Sequence, residues 1–359
     1  MAFLTLRTPA SHAFRSAPGP PVAEFGISPV AAALIAVFFA GCTVGALQRW
    51  AAYLPKAHPT VRSLHERPVM RVGGLAIWAG FVPAALLSPP MAAIATPVWF
   101  AAWFAVAAVS LVDDWRGVHP LPRLVVHGVA AVAASVALGG PVSAAASMPG
   151  WLLEVALIAL VIAWSANLFN FMDGSDGLAA TMAVCGFAAF AIAAGAAGAP
   201  SQAYVAVAAA TVAFLAVNLP PARAFMGDVG AVPLGFLAAL FGLAGWRAGV
   251  WPGWFPLLVF LPFVMDATTT LIRRVVNGER IWEAHRSHYY QRLHQLGARH
   301  RGTLAAYGGL MVGTAATALV VLIRRPEAGW WAAAVWTAIM AALFARIDYH
   351  WSHKNTKSP

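Results

Sequence analysis

Long apolar runs broken by short polar stretches set the pattern of this chain. They fall at about residues 28–48, 72–89, 97–112, 122–140, 150–168, 177–197, 200–218, 231–247, 254–272, 303–323 and 329–347. A helix that crosses a bilayer needs ~17–25 mainly apolar residues, and these runs meet or approach that length. The other spanning form, a closed β-barrel, uses ~10-residue strands of alternating polarity. The runs here do not alternate and are rich in Ala and Leu, so helices are predicted. The expected fold is all-α, a polytopic membrane bundle of about 11 transmembrane helices over 28–347. Residues 1–27 read as a disordered extramembrane tail, without the apolar centre of a cleaved signal peptide. Residues 348–359 read as a short cytoplasmic tail. No fixed-period repeat is visible.

Composition supports the bilayer as solvent. Of 359 residues, 60% are hydrophobic and 10% charged, against roughly 25% charged in a soluble domain. The net charge is +10. In a soluble chain that balance would suggest nucleic acid. In a membrane chain it follows from basic loops that hold the cytoplasmic side, and no nucleic-acid partner is expected. With the N-terminus outside and the C-terminus inside, 18 of the 23 Lys and Arg lie on inward loops, so that orientation is predicted. Cys42 and Cys185 lie apart in apolar runs, which excludes a disulfide framework and a thiolate metal site.

The polar clusters gather on the same inward loops. Asp113 and Asp114 close the third apolar run, where adjacent carboxylates repel and a helix C-terminus disfavours them. A solvated helix end is the plain alternative. Asn167, Asn170, Asp173 and Asp176 recur every three residues, which places them near one helical face. Gly174 and Gly177 break the helix beside them. Asn with carboxylate grips hydroxyls, amides or a hydrated cation; a turn with Asx caps is the alternative. Asp228, between Gly227 and Gly230, reads as a carboxylate open to a metal or as a helix N-cap.

His285, His288 and Arg292 would share a helical face, with Arg286 and Gln291 nearby. Three basic groups suit a pyrophosphate better than Zn²⁺, and a basic stretch on anionic lipid is the alternative. Upstream, Asp266 sits in an apolar run before Arg273 and Arg274 and reads as an intramembrane salt-bridge partner or a catalyst. Arg62, His65, Arg67 and Arg71 precede a Gly pair, which suits a phosphate; the positive-inside rule explains the arginines equally well. Carboxylates for Mg²⁺ with cations for phosphate point to phosphoryl chemistry on a lipid.

The ordered motifs DDWRG (113–117), NLFNFMDGSDGLA (167–179), NLPPARAFMGDVGA (218–231) and HRSHYYQRL (285–293) resemble the polyprenyl-phosphate N-acetylhexosamine-1-phosphate transferases. The form of the last motif resembles the branch that starts O-antigen and other surface glycans. Met70 stands where that family usually has Pro, and Ala231 where it usually has Ser.

The resemblance implies a multi-pass enzyme of a bacterial inner membrane with its site facing the cytoplasm. It implies Mg²⁺ as cofactor, or Mn²⁺ in its place, and leaves a homodimer open. It implies transfer of a sugar-1-phosphate from a UDP-N-acetylhexosamine to undecaprenyl phosphate, with UMP released. Asp113, Asp114 and Asp173 would be catalytic, and Asp228 and Asp173 would hold the metal. Asn167, Asn170, Asp176, Arg71, His65, His285, Arg286, His288 and Arg292 would hold the substrates. A peptidoglycan-type transferase of the same family is an alternative. So is a secondary transporter, although a carrier should place its polar groups near the midplane.

Overall fold

A computed structural model describes residues 26–59, 64, 67–88, 96–139, 148–280 and 285–355. Each predicted apolar run coincides with helix: α1 (Pro29–Arg49), α2 (Gly74–Leu86), α3 (Thr96–Arg116), α4 (Pro120–Gly139), α5 (Met148–Met172), α6 (Leu178–Ala196), α7 (Gln202–Asn218) and α8 (Asp228–Arg247). They are followed by α9 (Trp254–Val259), α10 (Leu261–Val276), α11 (Tyr289–Leu293), α12 (Arg299–Arg324) and α13 (Gly329–Asn355). Among the described residues, eight helical stretches are long and apolar enough to cross a membrane, and α2 and α7 are shorter apolar helices.

Two boundaries depart from the sequence reading. The run at 254–272 is two helices, split at Phe260. Pro262 lacks the N–H that a continuous helix would use to bond Leu258 O. The positions read as a C-terminal tail continue α13 to Asn355, because Asp348 is tied into the bundle. The all-α expectation also meets a two-residue antiparallel pair, β1 (Lys56–Ala57) with β2 (Val69–Met70). The tail expectation for 1–27 falls almost wholly outside the described residues, as does His65.

Helix α8 is the hub. Nearly every residue from Val229 to Gly245 is buried, and the helix packs on α5, α3, α2 and α6. Lipid gives helices little reason to associate, so close approach over small residues has to supply it. Gly74 and Gly230 meet backbone to backbone, and Gly235 lies against the carbonyl of Ser165. Ser165 Oγ donates to Gly235 O at 2.8 Å, and Trp78 Nε1 donates to Val229 O at 2.6 Å. The outer helices carry the exposed apolar belt, including Leu34, Phe38, Leu124, Val129, Leu153 and Leu160.

Candidate active site

Several chain segments meet at the end of the bundle where α3, α5, α7 and α10 finish and α4, α6 and α8 begin. Strand β2 and the residues after it are stitched to the segment before α8. Phe225 N–H donates to Met70 O at 2.7 Å, Gly73 N–H to Phe225 O at 2.9 Å, and Gly74 N–H to Met226 O at 2.8 Å. This places Arg71 over the start of α8.

Helix α8 has no cap of its own, since Gly227 stands before it with φ +72°. Asp114 supplies the cap from the last turn of α3. Its carboxylate accepts from Asp228 N–H at 3.1 Å and Val229 N–H at 2.8 Å. Asp228 is therefore released from capping, and its carboxylate is free for other work. It meets Arg123 Nη2 at 2.7 Å and Arg71 Nη2 at 3.5 Å. Arg123 also donates to Asp113 at 2.5 Å, and Arg71 Nε pairs with Asp114 at 2.8 Å. Asp113 further accepts Val118 N–H at 2.7 Å. Three carboxylates thus share two guanidinium groups. Burial works against the charge on Arg71, but Asp114, Asp228 and Asp113 outweigh it and raise its pKa.

Beside this cluster opens a cavity of about 310 Å³, lined by Arg71, Asn170, Asp173, Asp176 and Asp228 among others. Asp173 follows the end of α5. Burial, then the charges of Asp228 and Asp114, push its carboxyl well above the usual range. The loop after it is fixed by neighbours. Asp176 accepts Ala222 N–H at 3.0 Å and donates its own N–H to His300 Nδ1 at 3.2 Å. His300 Nε2 lies 3.2 Å from Leu64 O, so the ring reads as the Nε2–H tautomer. Gly177, at φ +74°, turns the chain into α6, and its N–H donates to Asn218 Oδ1. A side chain at Gly174 would collide with the hydroxyl of Tyr290, which donates to Phe171 O.

The basic segment is not one helix. Residues 285–288 are irregular and α11 begins at Tyr289, so His285, His288 and Arg292 share no helical face. Asp266, fully buried, is the reason. It accepts Tyr289 N–H and Tyr290 N–H at 2.9 Å each and the Tyr307 hydroxyl at 2.5 Å. His288 Nδ1 lies 3.2 Å from it and Thr270 Oγ1 donates at 3.2 Å. Asp266 is a clamp on this loop.

Arg292 points away from the cavity and pairs with Asp348 of α13 at 2.6 Å, as does Arg273 at 2.8 Å. His285 lies against His288 with ring centroids 4.9 Å apart and the rings tilted by 32°, and it bonds Ser287 Oγ at 2.8 Å. Burial, then His288 and Arg274, lower its pKa to about 4. The Arg286 carbonyl accepts from Gln295. Asn167 spends its amide on Ala163 O, one turn back in α5, at 2.8 Å, and does not line the cavity.

Arg123, Tyr290, Gln291, Asn218 and His300 are the site neighbours that sequence reasoning did not single out as ligands. Arg123 carried one signal, a lone cation three residues into the helix that follows the Asp pair. His300 carried none, because only the turn at 294–298 brings it back to Asp176.

Among the described residues no group of three or more His, Cys, Asp or Glu side chains could hold a metal on its own. Mg²⁺ does not require one, since one or two carboxylates suffice when phosphate and water complete its shell. Asp228 and Asp173 meet that requirement. Both line the cavity.

Residues 96–245 match the model of glycosyl transferase family 4. The chain is 29% identical over 253 residues to a probable undecaprenyl-phosphate N-acetylglucosaminyl 1-phosphate transferase of Bacillus subtilis, covering 68% of this chain and 70% of that protein. It is 27% identical over 331 residues to the decaprenyl-phosphate N-acetylglucosaminephosphotransferase of Mycobacterium leprae, covering 80% and 81%. It is 32% identical over 188 residues to a phospho-N-acetylmuramoyl-pentapeptide-transferase of Thermosynechococcus vestitus, covering 48% of each. With the motifs and carboxylates above assembled at one end of a helical membrane bundle, these matches support the resemblance to the polyprenyl-phosphate N-acetylhexosamine-1-phosphate transferase superfamily.

Proposed function

We propose that this protein transfers N-acetylglucosamine-1-phosphate from a UDP-sugar to undecaprenyl phosphate, as the first step of an O-antigen, lipopolysaccharide or other envelope glycan. The observation that carries this reading is the convergence of Arg71, Asn170, Asp173, Asp176 and Asp228 on one cavity at a helix-end boundary of the bundle. A lipid phosphate belongs at such a boundary, with its chain in the bilayer. The Lys and Arg bias supports placing this end in the cytosol of a bacterial inner membrane.

In this reading Asp228 and Asp173 hold Mg²⁺, whose charge would neutralise the donor diphosphate and the leaving UMP. Arg71 faces the phosphates. Asn170 and Asp176 lie where the nucleotide-sugar would rest. Asp113 takes the proton from the lipid phosphate. A lipid phosphate oxygen then bonds to the β-phosphorus, and the bond from that phosphorus to the oxygen it shares with the α-phosphorus breaks, releasing UMP. Asp113 is buried and is not part of the cavity lining. From that position Asp113 reaches the lipid phosphate only once its ion pair with Arg123 opens.

The test is purification in detergent and incubation with undecaprenyl phosphate and a panel of UDP-sugars, reading UMP release and the lipid product by mass. Turnover of UDP-N-acetylglucosamine, stopped by EDTA and restored by Mg²⁺, is expected. Uptake of labelled substrate into vesicles without UMP release would point to a carrier instead.

A further inference from the structure

Arg123 occupies the space between two carboxylates that the proposed reading gives to the cation and to proton transfer. Its Nη1 lies 2.5 Å from Asp113 Oδ2, and its Nη2 lies 2.7 Å from Asp228 Oδ2. Arg71 pairs with Asp114 and only loosely with Asp228. A guanidinium spreads one charge over a planar fork of donors, whereas a divalent ion on Asp228 would bring two charges to that carboxylate. The ion and Arg123 therefore compete for Asp228. Three carboxylates against two arginines leave the cluster one charge negative. Replacing Arg123 by a divalent ion balances it and frees one guanidinium, on a side chain that is 22% exposed and whose partner Asp228 lines the cavity.

We infer that Arg123 is a stand-in cation. It neutralises Asp113 and Asp228 until the divalent ion enters, and then turns onto the phosphates of the nucleotide donor. Metal and diphosphate therefore raise each other's affinity by the same factor, as linkage requires, and Arg123 carries part of that coupling. The inference rests on the metal reading above and names a positioning residue that the reading itself did not need.

The test uses the full chain in detergent, with Mn²⁺ followed by its electron paramagnetic resonance signal and UDP as the nucleotide probe. Without nucleotide, Arg123→Gln should bind Mn²⁺ about tenfold more tightly than the wild type, within the usual range of site–site coupling. It should bind UDP about tenfold more weakly when Mn²⁺ is present and no more weakly when it is absent. Arg123→Lys, which keeps the charge but loses the fork, should shift in the same directions by less. It carries the test if the Gln variant does not fold. Unchanged or weaker Mn²⁺ binding in the variants would overturn the inference, as would an equal loss of UDP affinity with and without metal. If wild-type protein binds no Mn²⁺ with or without UDP, the metal reading itself fails and this inference fails with it.

Discussion

Asp114 and Asp266 each reach from one helix to cap the first turn of another, and the two caps diverge in what surrounds them. Asp266 takes two backbone N–H groups of α11 and adds Tyr307, Thr270 and His288. It is saturated, fully buried and fixed. Asp114 takes two backbone N–H groups of α8 and has Arg71 besides, while its neighbours Asp113 and Asp228 share Arg123. A carboxylate enclosed by rigid donors has no reason to release them. One held by long arginine side chains can exchange them for another cation at little conformational cost. The same residue type at the same end of the bundle thus forms a fixed clamp in one place and part of an exchangeable ion-pair cluster in the other.

The comparison is broken most forcefully at the working cluster. Asp113→Asn and Asp228→Asn should each lower UMP release by roughly 10²–10⁴-fold, with membrane insertion and melting temperature in detergent little changed. Near-normal turnover in either variant would remove its assigned role.

Asp266→Ala should do the reverse. Leaving that many buried donors unpaired costs on the order of 3–5 kcal/mol, so the loss appears first in thermal melting and yield. A well-folded, inactive Asp266→Ala protein would mean the residue is more than a clamp.

Gly227→Ala should move both readouts. The position needs φ +72° and an added Cβ would collide with the carbonyl oxygen of Arg71. A cost of about 1–3 kcal/mol is expected, with activity falling because Asp114 can no longer hold the start of α8.

The smallest effect concerns pH. The folded-state pKa of His285 is lowered to about 4, against roughly 6.5 unfolded. The folded protein prefers the neutral ring, so this contribution is complete above that unfolded value and is lost as pH falls toward 4. His285→Phe should flatten the decline in melting temperature over that window. An unchanged decline would show that His285 is not its source.

Much of the architecture was legible because lipid imposes a severe rule on sequence: a spanning segment must be apolar and must satisfy its own backbone. The runs therefore marked α1 to α8 and α12 to within a few residues, and the start of α13. Asp113, Asp114, Asp173 and Asp228 stood out for a related reason, since carboxylates at a membrane boundary are costly to desolvate. The basic segment was less legible. Periodicity placed His285, His288 and Arg292 on one face, but a cap supplied by Asp266, 23 residues before Tyr289, fixed where the helix begins. Arg292 was read as a ligand for phosphate and is instead spent on Asp348. No local pattern distinguishes an arginine that meets a substrate from one that meets a carboxylate on another helix.

What the chain determined by itself was its solvent, its helices and the residue types able to bind phosphate and a divalent ion, because hydropathy and desolvation act on each segment alone. Tertiary structure decided which of those polar groups face one another. Asp114 became the cap of α8, and Asp228 a partner for arginine instead, only when α3 met α8, and Arg123 bridged Asp113 and Asp228 only when α4 brought it between them. Pairings of that kind depend on distances across the fold, which no single segment encodes.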